Sequence, residues 1–277
     1  MPHPALSQTD HRPWPLPRGP WRWRQSWRDL LFAHWPVPVA AVRALIPPGL
    51  EVDTFDGATW LGIVPFRMAG VMLRPLPDLP WISAFPELNV RVYVTRDGKP
   101  GVWFLSLDAT NPLAVMTARR LFHLPYYRSD IDITSRGDGF DYRCLRRAHL
   151  PNLLPQGEGV RSPSLWEGLG EGAPPSLVAH YRPTSPVYNA APGTLEHWLT
   201  ERYCLYAASP RGALYRTEVH HHPWPLHRAA ADFDINSISA AGGLPVSGPP
   251  ATLHFARRID VVVWSPERLE ERMKAEG

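Results

Sequence analysis

The segment Phe85-Pro86-Glu87-Leu88-Asn89-Val90-Arg91-Val92-Tyr93-Val94 alternates polar and apolar side chains with a period of two, and this constrains the fold more than any other feature of the chain. Successive side chains of a β-strand point to opposite faces, so Glu87, Asn89, Arg91 and Tyr93 share one face and Leu88, Val90, Val92 and Val94 the other. A helix would scatter both sets around its circumference. One face therefore packs on a core. The other is either solvated, as on an ordinary half-exposed strand, or turned into the lumen of a barrel, where it would form a binding site.

Further strands follow at short intervals. Glu51 to Phe55 and Ala58 to Phe66 are joined by Asp56-Gly57, a pair that tolerates positive φ and suits a two-residue hairpin. Leu88 to Thr95 is followed, across a turn at Arg96 to Gly101, by Val102 to Asp108. Ser129 to Thr134 and Phe140 to Arg147 flank Gly137-Asp138-Gly139, and residues 213–222 and 252–264 read as late strands. The aromatic run from Trp21 to Trp35 fits neither the strand nor the helix period. Three short helices are expected. One starts at Pro38 and stops at Pro47-Pro48-Gly49. A second is capped by Asn111, with Pro112 in its first turn and Leu113, Met116, Ala118 and Leu121 as its apolar face, and ends at Pro125. A third spans Leu195 to Arg202. The reading is an α+β, mainly β chain: a mostly antiparallel barrel with a few short helices and an enclosed pocket.

At 277 residues, 44% apolar and 20% charged, the chain suits one large domain, taken as residues 21–277 behind a proline-rich, flexible arm at 1–20 that orders only where it docks. Residues 151–175, with ten glycines and prolines, read as a long loop. The net charge is +3, lysines occur only at positions 99 and 274, and the one dense basic stretch is Arg143, Arg146 and Arg147, so no nucleic-acid module is expected. No apolar run approaches the ~18 residues of a membrane helix, and no signal-peptide core is present, so the expected location is the cytoplasm. Cys144 and Cys204 lack CxxC spacing, which argues against a zinc ribbon or a disulfide scaffold. No Walker, dinucleotide or GxSxG pattern occurs, and no cofactor is expected.

Two groups of residues invite chemistry. Alternation in the strand after Leu88–Thr95 puts Ser106 with Asp108, so a hydroxyl, a carboxylate and Arg91 are expected to converge, each needing the others to offset burial. His220, His221 and His222 are consecutive. Two of them would share a strand face, and with a third ligand from His34, His227 or His254 they would make a metal site; the alternative is structural histidines in a polar network, and no metal is expected.

Together these motifs resemble the uncharacterised bacterial DUF2071, or YqjF-like, family. The resemblance rests on Phe32-Ala33-His34-Trp35, on Ile46-Pro47-Pro48-Gly49-Leu50 leading to Phe55-Asp56-Gly57, on Phe85 to Arg91, and on Ser106-Leu107-Asp108-Ala109. It continues through Ala118-Arg119, Leu124-Pro125-Tyr126, Glu201-Arg202-Tyr203 and His220 to Trp224. It implies a fold like that of acetoacetate decarboxylase, a cone-like β-barrel with a closed pocket. The decarboxylase uses a Schiff-base lysine; here the similar segment, Ala118 to Tyr127, carries tyrosines at the lysine positions, so imine chemistry is not expected. By the same resemblance Glu87 matches a pocket carboxylate and Arg91 or Arg119 a cationic ligand clamp. Tyr126 is either a hydrogen-bond donor to a carbonyl or a plugging aromatic, and Ser106, Asp108 and His34 support the site. The expected role is a pocket for a small oxo-acid or carboxylate, with or without lysine-independent lyase turnover, Glu87 acting as base, Arg91 as clamp and Tyr126 as the second catalytic candidate. The alternatives are a non-catalytic sensor or interaction protein of the same fold and, third, a metal-assisted hydrolase around His220 and His222. Edge strands make a homodimer plausible.

Overall fold

Tight turns in left-handed conformations set the strand pairing of this chain, for which the computed structural model describes residues 3–74, 83–147 and 174–270. At Asp97-Gly98, φ values of +53° and +71° give the primed turn whose twist matches its flanking strands, β4 (Phe85–Arg96) and β5 (Lys99–Ala109). Before them run β1 (Trp23–Val37), helix α1 (Val39–Leu45), β2 (Glu51–Val52) and β3 (Thr59–Leu73). After them come α2 (Pro112–Phe122), β6 (Tyr126–Arg136), β7 (Gly139–Arg146), β8 (Ser176–Pro183), α3 (Leu195–Thr200) and β9 (Cys204–Ala208). The last elements are β10 (Leu214–His220), β11 (Leu226–Asn236), α4 (Ile238–Ala241), β12 (Thr252–Val263) and β13 (Glu267–Arg268).

Among the described residues the strands form one thirteen-stranded sheet that closes on itself in a ring-like way. Strands β12, β1, β3, β4 and β5 pair in that order as a belt. Strands β9 and β10 bridge β5 back to β12 on one side, and β6, β7, β8 and β11 bridge the same two strands on the other. Strand β5 pairs in parallel with β6 and β9; the other described pairings are antiparallel.

The two faces of the belt therefore serve two interiors. Leu31, Ala33, Ile63, Leu88, Val90 and Val92 pack with Phe140, Tyr142 and Tyr181 in one. Leu30, Phe32, Val64, Phe66 and Val261 pack with Val219 and Trp224 in the other. Each fully buried Leu, Val or Phe contributes about 1.5–3 kcal/mol, so neither face can be given to water cheaply. Strand β1 crosses between the two patterns at Asp29, held at φ +52°. Trp23 and Trp27 before it and Leu30 and Phe32 after it turn the same way, which is why that aromatic run shows no single period.

Several local expectations change. Residues 51–55 do not form a full hairpin with 58–66. Only Phe55 and Ala58 close the Asp56-Gly57 turn, while β2 pairs with β4, Glu51 opposite Thr95. Helix α2 is capped as expected, with Asn111 Oδ1 accepting from the Leu113 and Ala114 amides at 3.0 and 3.1 Å. Its face is rotated, however: Leu113, Met116 and Leu121 are 52%, 43% and 50% exposed, while Val115 is buried and Ala118 and Phe122 face inward. Both stripes satisfy helical spacing, and the Arg119 Nε bond to the Tyr126 carbonyl, 2.6 Å, pins the inward one. The Gly/Pro-rich stretch lies outside the described residues up to position 173. No helix among the described residues is long and apolar enough to cross a membrane.

The proline-rich arm, expected to order only where it docks, is held against the β10 region. Arg12 is buried, donates to the Val219 carbonyl at 2.6 Å and pairs with Glu218, which also accepts from Trp14 Nε1 at 2.7 Å and Lys99 Nζ at 2.8 Å. The histidine run receives the same arm: His220 Nε2 donates to the Gln8 carbonyl at 3.1 Å, and His222 pairs with Ser7 at 3.1 Å. Among the described residues no three His, Cys, Asp or Glu side chains converge to hold a metal, so the metal-assisted reading has no ligand set there. Glu218→Ala strands a buried guanidinium and is expected to cost about 3–5 kcal/mol in urea denaturation; a loss below about 1 kcal/mol would show that this ion pair does not hold the arm.

Candidate functional site

The polar face of β4 is not solvated. Glu87, Asn89 and Arg91 line a cavity of about 210 Å³ whose wall is drawn from β1, β3, β4, β5, β9, β10 and α2. Most of its wall is apolar and aromatic, including Trp23, Trp27, Phe66, Phe122 and Trp224. A few polar groups set in an apolar concavity are the usual composition of a small-molecule site.

Glu87 is 2% exposed and forms no ion pair among the described residues. Tyr126 Oη donates to its Oε2 at 3.0 Å, and the Asn89 side chain also hydrogen-bonds it. Burial pushes the Glu87 carboxyl up to about 8; the two hydrogen bonds pull the other way and the charge of Asp108 adds to the rise. Glu87 therefore carries its proton near neutral pH. Burial, reinforced by Glu87, also raises Tyr126 well above the ordinary tyrosine range, so it acts as a donor and not as a phenolate. The Tyr142 hydroxyl donates to the Glu87 carbonyl at 2.9 Å and fixes the backbone behind the acid.

Arg91 is buried too, and its partners are neutral. Its Nη2 donates to Tyr93 Oη at 3.3 Å and to the Leu199 carbonyl at 3.2 Å, and the guanidinium carbon lies 5.2 Å from the centre of the Phe32 ring. The other buried arginines each have a carboxylate: Arg12 has Glu218, Arg96 has Asp97, Arg146 has Asp108 and Arg202 has Asp53. Among the described residues Arg91 has none.

His34 stands behind Arg91, with Nε2 2.7 Å from Tyr93 Oη. That hydroxyl donates to the Leu199 carbonyl at 2.9 Å, so it accepts from His34. Burial, then the charge of Arg91, drives His34 well below the usual histidine range, and it stays neutral. It orients Tyr93, and through Tyr93 it orients Arg91.

The expected convergence of Ser106 and Asp108 with Arg91 does not occur. Register pairs Leu88 with Asp108 and Val90 with Ser106, and paired residues share a face, so both point away from Glu87 and Arg91. There Arg146 donates to Asp108 at 2.7 and 2.6 Å and to Ser106 at 2.9 Å, and Ser129 donates to Asp108 at 2.6 Å, a closed polar network. Arg119 is outside the cavity wall and acts on the Tyr126 backbone. Cavity residues not singled out from the sequence include Arg202, whose Nε donates to the Trp198 carbonyl at 2.6 Å, and Trp23, Trp27 and Trp224. Arg202 and Trp224 sit inside the Glu201-Arg202-Tyr203 and His220–Trp224 motifs, which were the available signal.

A family model described as an uncharacterized conserved protein, DUF2071, matches residues 24–260. The chain belongs to the DUF2071 family. It is 41% identical over 249 residues to the uncharacterized protein YqjF of Bacillus subtilis (strain 168), covering 90% of this chain and 93% of that protein. Among solved structures it is similar in fold to acetoacetate decarboxylase from Legionella pneumophila, with TM-score 0.58, 12% identity and coverage of 94% and 93% of the two chains. It is also similar to the enduracididine biosynthesis enzyme MppR complexed with pyruvate, with TM-score 0.58, 14% identity and 91% of each chain covered. Identities this low establish a shared fold alone. In this DUF2071 member no lysine lines the cavity among the described residues: Lys99 is engaged by Glu218, and Lys274 lies outside them.

The raised pKa of Glu87 makes a signed prediction. A carboxyl whose folded value exceeds its unfolded value stabilises the fold fully below the unfolded value, and that stability is lost as pH rises through the folded one. For Glu87 the window runs from 4.5 to about 8. The buried histidines act oppositely, but only below about pH 6.5, where the unfolded chain takes up their protons. Between about pH 6.5 and about pH 8.5 the protein should lose about 2 kcal/mol of stability that Glu87→Gln does not lose. Parallel urea curves for the two proteins across that interval would overturn the protonated-Glu87 assignment.

Proposed function

We propose that the cavity binds a small monocarboxylate, an oxo-acid in the first instance, with Arg91 taking the carboxylate and Glu87 presenting its proton to the carbonyl oxygen. One observation carries this reading: Arg91 is the buried arginine with no carboxylate partner among the described residues. A buried cation without a counter-charge is costly, and a bound carboxylate supplies that charge through a charge-assisted or bidentate bond. Arg202 is offset by Asp53 and Glu87 is protonated, so the cavity is balanced by one negative charge.

Tyr126 and Asn89 hold the Glu87 carboxyl, and His34 through Tyr93 holds Arg91. With its proton in place near neutrality, Glu87 serves as an acid toward developing negative charge on the ligand oxygen, and as a base only above about pH 8. Lyase-type turnover of this kind is independent of lysine. Binding without turnover, as in a ligand sensor, is favoured by a separate observation: among the described residues the cavity wall offers no activated nucleophile, since burial pushes the Cys204 thiol to about 12.

A thermal-denaturation series with pyruvate, acetoacetate and acetate tests the reading. A ligand at about 100 times its dissociation constant should add about 2.7 kcal/mol of stability. Arg91→Gln, which keeps a donor for the Leu199 carbonyl, should stay folded and lose that gain. Stabilisation of undiminished size in Arg91→Gln, or none with any carboxylate, would overturn the proposal.

A further inference from the structure

We infer that the ligand of this cavity is an aromatic monocarboxylate, with its ring lodged between the tryptophans of β1 and helix α2 and its carboxylate at Arg91. The inference rests on the Arg91 reading above and adds the class of the ligand body.

The first support is volume. A dry cavity of about 150 Å³ suffices for benzene. This one is about 210 Å³, room for a six-membered ring with a short acidic arm and too much for a three-carbon acid to fill. Unfilled apolar space forfeits dispersion contacts, so a ligand matched to the cavity occupies it.

The second support is the character of the wall away from β4. Trp23 packs on Phe122 with ring centroids 4.7 Å apart, Trp27 stacks on Trp224 at 5.8 Å and meets Phe66 edge-on at 6.0 Å. These residues all border the cavity. A third flat ring joins such a set through stacked or edge-to-face contacts, worth more than its buried area alone.

The third support is what stands across the cavity. Helix α2 contributes Ala114 and Ala118 to the wall, and these small side chains leave open the space that larger ones would take. Ala118 thereby sets the size of the ligand body. The polar groups, acid, amide and guanidinium, sit at successive inward positions of β4, while the rings of Trp23, Trp27, Phe66, Phe122 and Trp224 come from other elements.

Calorimetry with pyruvate and phenylpyruvate, which differ by one phenyl group, tests this. Phenylpyruvate should bind about 10- to 100-fold more tightly, the effect of burying one Phe-sized ring. Ala118→Leu should bring the affinities for the two acids to within about threefold of each other, with far-UV circular dichroism and an unchanged urea midpoint reporting that the variant is folded; Ala114→Leu serves in the same way if Ala118→Leu does not express. Equal affinity for the two acids, with both lost in Arg91→Gln, would overturn the aromatic assignment and leave the carboxylate reading standing. Binding of neither acid to the wild-type protein would overturn both.

Discussion

Strand β4 has water on neither side. Its flanking pairs β3 and β5 place it inside the belt that two interiors share, so a strand written with alternate polar residues has to hide a carboxyl, an amide and a guanidinium on one face. Much of the chemistry described here follows from that position. Glu87 keeps its proton because a buried carboxylate with only neutral donors around it is worse than a buried acid. Arg91 cannot lose its proton in the same way, so it lies over the Phe32 ring and donates to a hydroxyl and a carbonyl.

The rest of the molecule shows how its buried charges are ordinarily treated. Arg12 with Glu218 fastens the arm, Arg146 with Asp108 ties β5 to β7, and Arg202 with Asp53 ties the end of α3 to the segment after β2. Such pairs do little for net stability, because desolvating two ions offsets most of their attraction, but removing one member is expensive. They work as registration points between segments far apart in sequence. Against that background the guanidinium of Arg91, with no carboxylate partner among the described residues, is the exception on which the proposed site rests.

A fold shared with acetoacetate decarboxylase and MppR does not carry their chemistry with it. This chain has a concavity with a buried acid inside it, and it has tyrosines where the resemblance would place the Schiff-base lysine. In the reading proposed above, a ligand meets a proton on Glu87 and a positive charge on Arg91, groups that bind, orient and polarise without forming a covalent bond.

Local rules settled a good deal in advance. Alternation put Glu87, Asn89 and Arg91 on one face, Arg96 to Gly101 and Asp56-Gly57 marked turns, Asn111 capped its helix, and the motifs from Phe32 to Trp224 pointed to the family, because each depends on neighbours within a few residues. What stayed hidden depends on partners far along the chain. Whether the polar face of β4 meets water or a cavity was decided by the second closure of the ring through β9 and β10. The β4–β5 register sent Asp108 and Ser106 to Arg146, the kink at Asp29 turned the tryptophans of β1 into the cavity wall, and β6 chose which stripe of α2 faces inward. The sequence alone determined which residues share a face. Only the tertiary structure decided what each face meets, because burial, and with it every charge and proton at the site, is a property of the closed sheet and not of any one strand.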